Sequence, residues 1–192
     1  MVDDRARQRV VVLAGPSGSG KSRLAGRLHA THGWPVFRLD DFYRDGNDPV
    51  MPRSTDLGMI DWDHPDSWDG DRALRALCDL VDTGSTTTPV YDIGTSRAVG
   101  HREITAGPHD LLLAEGIFAA EMVGPLRDSG VLHSAWCIHH RPEITFVRRL
   151  ARDLKERRKP PAVLIRRGWS LMRAEPAILR RQNALGAAPA RA

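Results

Sequence analysis

The chain has 192 residues, 41% hydrophobic and 27% charged, which are globular values at a length that builds one ordinary core. No apolar run nears the ~20 residues that span a bilayer. The opening Met1-Val2-Asp3-Asp4-Arg5-Ala6-Arg7 is polar and mixed in charge, unlike a signal peptide, so the reading is one cytoplasmic domain over residues 1–192.

In chain order, Val10-Val11-Val12-Leu13-Ala14 suits a fully buried parallel strand, and Gly15-x4-Gly20-Lys21-Ser22 then meets the phosphate-loop pattern in full. Across Gly15, Pro16, Ser17, Gly18, Ser19 and Gly20, backbone N–H groups can close on phosphate oxygens. Lys21 supplies a compact cation between the β- and γ-phosphates, and the Ser22 hydroxyl can bind Mg²⁺. A helix from Lys21 to about residue 30, with Leu24, Ala25 and Leu28 on one face, points its positive end at the same place. This run predicts a nucleoside triphosphate site for ATP or GTP.

Val36-Phe37-Arg38-Leu39 reads as a second strand ending in Asp40-Asp41-Phe42-Tyr43. A carboxylate at a strand's carboxyl end beside the phosphate loop sits where open α/β sheets bind ligands. Asp40 is therefore a candidate base. Residues 45–58 are polar, with Gly46, Asn47, Pro49 and Pro52, and read as a loop. Asp61-Trp62-Asp63-His64-Pro65-Asp66-Ser67-Trp68-Asp69 has more carboxylates than capping needs. Asp66 or Ser67 would cap the helix that carries Leu74, Leu77, Cys78 and Val81, and the surplus beside two tryptophans suggests a pocket for hydroxyls and a ring.

Residues 84–107 predict a small β-hairpin off the main sheet. Asp110–Gly116 predicts a further buried strand ending in Glu115, the layout of a carboxylate that orders Mg²⁺. After a strand at Val131–Ile138, Pro142 opens a helix in which Arg149 and Arg152, three apart, share a face and could clamp phosphate oxygens. Arg157, Arg158, Lys159 and Pro160-Pro161 suggest a lid, giving an Arg-rich helical lid region over 142–161. His139 and His140 read as structural or surface residues, and Cys78 and Cys137, without metal spacing, as buried free thiols. The Ala/Pro-rich end, 186–192, reads as a frayed tail.

The net charge of +4 conceals an asymmetry, because residues 141–192 hold 14 Lys and Arg against 4 Asp and Glu, net +10, leaving −6 for the first 140. Only Phe146 and Trp169 in that stretch could stack bases, which argues against a nucleic-acid partner and for a clamp on a polyanionic nucleotide. A homo-oligomer is compatible with the sequence, which sets no limit on assembly.

Taken together, Gly15–Ser22, Asp40-Asp41-Phe42-Tyr43, Asp61-Trp62-Asp63-His64-Pro65-Asp66, Pro89-Val90-Tyr91-Asp92, Glu115-Gly116-Ile117 and Arg148-Arg149-Leu150-Ala151-Arg152-Asp153 resemble, in order, the uridine kinase family within the phosphoribulokinase group. The resemblance implies a P-loop α/β fold with a mainly parallel sheet of about five strands flanked by helices. It also implies transfer of the γ-phosphoryl of ATP to a nucleoside 5′-hydroxyl, uridine or cytidine above all. By resemblance Asp40 is the base, and Ser22 and Glu115, with Asp40, order Mg²⁺. Asp63 holds the ribose hydroxyls, Tyr43, Trp62, His64 and Tyr91 line the acceptor site, and Arg149 and Arg152 close on the phosphates. Ile93 and about Ser96 stand where pyrimidine-specific members carry an aromatic and a His. Rival acceptors are therefore nicotinamide riboside, pantothenate, a sugar phosphate or a specialised metabolite. The rival from another class is a nucleotide-dependent regulator or nucleic-acid-binding switch. It would not need the Asp61–Asp69 cluster, and no Asn-Lys-x-Asp motif is present.

Overall fold

The computed structural model of the chain describes residues 7, 9–53, 60–155 and 161–191, without the side chains of 142, 149, 152–155, 161–168, 170 and 171. Its main sheet has five strands in the order β2 (Val36–Arg38), β5 (Leu112–Glu115), β1 (Val10–Ala14), β6 (Leu132–His139) and β7 (Ala188–Arg191). Every pairing is parallel. Strands buried on both faces read as continuous apolar runs, which is why β1 is Val-Val-Val-Leu-Ala and buried throughout. Val11 and Leu13 pack with Leu113, Ile138 and the Ala25 face of α1 (Lys21–His32). Val10, Val12 and Ala14 face the other way, into a larger core. There they join Leu77 and Leu80 of α2 (Gly70–Thr83) and Val123 and Leu126 of α3 (Val123–Asp128).

The predicted hairpin is β3 (Ser85–Asp92) against β4 (Arg97–Thr105), antiparallel and separate from the main sheet. The cap of α2 corrects the sequence reading. Asp69 accepts from the Arg72 N–H at 2.9 Å, whereas Asp66 and Ser67 lie in a 3-10 turn, Pro65–Ser67, that ends before the helix. That turn has its own cap, because His64 Nδ1 accepts from the Asp66 N–H at 3.2 Å.

The C-terminal segment brings a second correction. A single helix, α5 (Pro161–Ala184), runs through Pro176 and packs along α4 (Pro142–Lys155). Residues 156–160, where the lid tip was expected, lie outside the described residues. Beyond α5 the chain does not fray. Gly186 turns it at φ +102°, Ala187 is buried, and Ala188–Arg191 pairs with Trp136–His139 as the edge strand. An edge strand tolerates Pro189, whose missing N–H would break a central ladder.

Register decides where function can sit. Leu13 and Arg38 both pair with Glu115, and Ala14 pairs with Cys137. The residues that follow, Gly15, Leu39-Asp40 and Gly116, therefore leave the sheet along one carboxyl edge, beside Ile138 of β6, which pairs on with Ala190, and this is the edge where open parallel sheets bind ligands.

Candidate functional site

The phosphate-loop segment turns between β1 and α1 because Gly15 takes φ +142°, and a Cβ there would collide with the Ile138 carbonyl oxygen. The Ser19 N–H donates to the Pro16 carbonyl at 3.1 Å, and Gly20 is the left-handed cap of α1. Lys21 is buried at the first turn of the helix, 5% exposed, and its Nζ donates to the Pro16 carbonyl at 3.4 Å. The Ser19 hydroxyl is buried and has no hydrogen-bond partner among the described residues. A bound anion is the kind of partner that would satisfy such a donor.

Across the sheet edge, the Ser22 hydroxyl donates to Glu115 Oε2 at 2.8 Å. Glu115 is 5% exposed, and burial pushes its carboxyl pKa up. The Lys21 cation opposes that rise, the Asp40 carboxylate adds to it, and the Ser22 hydrogen bond works against it. These influences place Lys21, Ser22, Asp40 and Glu115 in one electrostatic neighbourhood. A hydroxyl with carboxylates is a donor set for a hard divalent cation such as Mg²⁺. Among the described residues no group of three or more His, Cys, Asp or Glu forms a full cage. Mg²⁺ needs none, since it takes one or two carboxylates with phosphate and water oxygens.

Asp40 and Asp41 lie in the 3-10 turn Leu39–Phe42, and their side chains go opposite ways. Asp41 is turned inward, 4% exposed, and accepts from Arg102 of the hairpin at 3.0 Å. Asp40 stays half-buried at the edge, its Oδ1 accepting from the Ile117 N–H at 3.0 Å. Gly116 permits that contact. A Cβ added to it would stand 2.7 Å from Asp40 Oδ1 and 2.9 Å from Leu39 Cβ.

An aromatic cluster adjoins the turn and the segment after Glu115. Tyr43 meets Trp62 edge-on at 5.6 Å, Tyr91 at 5.7 Å and Phe118 at 5.9 Å between ring centroids. The Tyr43 hydroxyl donates to the Trp62 carbonyl at 3.2 Å, and the Tyr91 hydroxyl to the Arg44 carbonyl at 3.1 Å. Burial, then Asp45 and Asp92, push the Tyr91 phenol up to about 12.

The structure thus gathers Gly15–Ser22, Asp40 and Glu115, with Tyr43, Trp62 and Tyr91 beside them. Asp63 and His64 lie on the exposed turn next to Trp62, where Asp61 accepts from the Asp63 N–H at 3.1 Å and the His64 ring serves its own turn. Arg149 and Arg152 fall on α4, but their side chains are outside the described ones. Phe118, Arg102 and the Arg44–Gly46 segment were not singled out from the sequence. Phe118 alone carried a signal, as an aromatic three residues past a strand-end acid. His139 and His140 line a recess of about 370 Å³ with Arg141, Ile144 and Arg191, just beyond the Ile138 that abuts Gly15. Partial burial, then Arg148 and His139, push the His140 pKa down. A larger recess of about 610 Å³, between Trp68, Leu74, Met122 and Pro125, includes none of Lys21, Ser22, Asp40 or Glu115.

A sequence profile of the phosphoribulokinase/uridine kinase family matches residues 10–164. A uridine kinase of Deinococcus deserti is 30% identical over 159 residues, covering 81% of this chain and 73% of that one. A uridine kinase of Lactobacillus johnsonii is 28% identical over 152 residues, covering 77% and 69%. Among solved structures, a putative fructose transport system kinase from Silicibacter sp. TM1040 shares the fold, with a TM-score of 0.64 at 20% identity over 91% of this chain and 85% of its own.

Proposed function

Because the chain belongs to the phosphoribulokinase/uridine kinase family, it is a phosphotransferase with an alcohol acceptor, and we propose that it moves the γ-phosphoryl group of ATP to the 5′-hydroxyl of a nucleoside, uridine or cytidine. The observation that carries this reading is the Ser22–Glu115 hydrogen bond at 2.8 Å, with Lys21 behind it and the Asp40 carboxylate facing the same edge. The uridine kinase relatives support the choice of acceptor.

Phosphoryl transfer asks a protein for positioning and charge compensation more than for covalent chemistry. The proposed division of labour follows. Backbone N–H groups of the Gly15–Ser22 loop and the Lys21 cation bind the donor phosphates. Asp40, held by the Ile117 N–H, accepts the 5′-hydroxyl proton. Ser22 and Glu115, with Asp40 near, are the proposed Mg²⁺ ligands, and the ion when bound would offset charge on the β- and γ-phosphates. Asp63 takes the ribose hydroxyls, with His64 shaping its turn, and Tyr43, Trp62 and Tyr91 enclose the acceptor base. Arg149 and Arg152 on α4 close on the phosphates. The recess at His139, His140 and Arg191 is the proposed seat of the donor base. Among the described residues no helix is long and apolar enough to cross a membrane, and the cytoplasm is the proposed place of action.

A second reading, a different small hydroxyl acceptor, is favoured by one observation. Ile93 is 54% exposed, and the Ser96 hydroxyl donates to the Ile93 carbonyl at 3.5 Å, within the hairpin's own turn. Neither offers the polar contact to a base that discriminates pyrimidines.

The test is Asp40→Asn. ATP affinity by calorimetry should stay within about threefold, while acceptor-dependent ADP release falls roughly 10²–10⁴-fold, the range for loss of a positioned general base. Retained turnover would remove Asp40 from the role.

A further inference from the structure

Helix α5 reaches the reactive edge at its last full turn, through Gln182. The amide is 6% exposed and satisfied on both sides. Its Oε1 accepts from the Cys137 thiol of β6 at 3.2 Å, and its Nε2 donates to the Ile117 carbonyl at 3.4 Å. Ile117 is the residue whose N–H holds Asp40 Oδ1 at 3.0 Å. A single residue between Gly116 and Phe118 therefore grips the candidate base with one polar group and the foot of α5 with the other. The neighbouring Arg181 pairs with Glu121 at 2.9 Å, so α5 secures both ends of the segment from 117 to 121. Burying an amide in this apolar surround costs free energy unless both its ends are matched, and here both are.

The other end of α5 lies far from the site. At 1.5 Å per residue its 24 residues span about 36 Å, running back beside α4 to Pro161. The two helices are joined within their packed face, where the Thr145 hydroxyl donates to the buried Glu175 at 3.3 Å.

We propose that Gln182 is a positioning residue for phosphoryl transfer. It fixes the Ile117 peptide so that the Asp40 carboxylate is held in one place, and it ties that place to the α4–α5 helix pair. The inference rests on Asp40 as the base, as argued above. Gln182 touches no reacting atom itself and acts through Ile117. It would therefore affect the chemical step more than nucleotide binding, and a rigid shift of α5 would reach the base directly.

The experiment uses Gln182→Met, which keeps the volume and removes the hydrogen bonds, and Gln182→Glu, which keeps the shape and an acceptor for Cys137 but, ionised, cannot donate to Ile117. Each is made in the parent protein and in Asp40→Asn. Three quantities are read: kcat and KM for ATP and acceptor, the non-additivity of the double variants, and hydrogen exchange at the Ile117 amide. In the parent, kcat should fall about tenfold with KM for ATP within about twofold. In Asp40→Asn the same change should cost less than about twofold, because residues acting as a unit are not additive. The Ile117 amide should exchange about tenfold faster in whichever variant folds. Unchanged Ile117 exchange, or an equal fold-loss of kcat in both backgrounds, would overturn the proposal. If the parent phosphorylates no acceptor, the kinase reading fails instead, and Ile117 exchange still decides whether Gln182 holds the segment.

Discussion

Gly116→Ala places one methyl group where the structure has no room for it. The new carbon would lie 2.7 Å from Asp40 Oδ1 and 2.9 Å from Leu39 Cβ. Ordinary carbon–oxygen contacts begin near about 3.3 Å, so the carboxylate must retreat by ~0.6 Å. Leu39 is 1% exposed in the core and cannot swing away, so the strain falls on the turn that carries Asp40. Overpacking of this kind costs about 1–3 kcal/mol, which for a domain of this size lowers Tm by roughly 2–12 °C. The catalytic consequence is larger. Displacements near 1 Å cost reactions on the order of 10²-fold, and the Ile117–Asp40 hydrogen bond is strained at the same time, so kcat should fall roughly 10–100-fold. ATP affinity should stay within about threefold, because the atoms nearest the methyl group belong to Leu39 and Asp40 and not to the Gly15–Ser22 loop. Differential scanning fluorimetry, calorimetry with ATP and acceptor-dependent ADP release measure the three quantities on one preparation. A variant that loses Tm as expected yet turns over like the parent would refute the reasoning, since the displaced carboxylate would then not be the reacting group.

Glu115→Gln separates stability from activity. Burial raises the Glu115 pKa, so its contribution to stability is greatest below its ordinary value of 4.5 and is lost as pH rises through the folded value. The variant should therefore melt higher than the parent at neutral pH, with the gain vanishing in acid, and should need more Mg²⁺ for half-maximal turnover. A neutral-pH Tm below the parent's would contradict this. Tyr91, raised to about 12, behaves in the same sense, its contribution being present below 10.0 and lost as pH climbs towards 12. Of the two tyrosines in the chain, no more than one should ionise by absorbance near pH 11 in the folded protein, and both should do so in denaturant. Lys21→Ala should weaken ATP binding and lower kcat together, each by about tenfold or more, because a buried cation at the phosphates contributes before and during transfer. Loss of one without the other would assign Lys21 a narrower part.

The Gly15–Ser22 loop and the strand ends beside it were legible in the sequence because their signal is local. Five apolar residues, a glycine-rich turn and Lys21-Ser22 are contiguous, and the strand-end acids Asp40 and Glu115 needed only a parallel sheet to bring them alongside. Contacts between distant segments were less legible. Asp66 or Ser67 was expected to cap α2, but the His64 ring closes a separate turn over Asp66 and Asp69 takes the cap. Ala188–Arg191 has little intrinsic strand preference, and it becomes β7 because β6 leaves an open edge for it. Pro176, a residue type that usually breaks helices, lies inside α5. The pairing of Gln182 with Ile117 joins residues 65 apart, and Gln182 sits in a helix whose other residues give no sign of it. Gly116 follows the strand-end Glu115 in sequence, and its need for space shows only once Asp40 lies against it.

The most direct test of the whole account is the product. Purified protein with Mg²⁺ and ATP is incubated with uridine, cytidine, adenosine, nicotinamide riboside, pantothenate and ribulose 5-phosphate in parallel, and the products are identified by mass spectrometry. The account predicts a nucleoside 5′-monophosphate from uridine or cytidine, formed one for one with ADP and lost in Asp40→Asn. A phosphorylated product from another acceptor alone would keep the phosphotransferase and contradict the pyrimidine assignment. ADP formed without any phosphorylated acceptor would contradict the proposed transfer to this panel of acceptors.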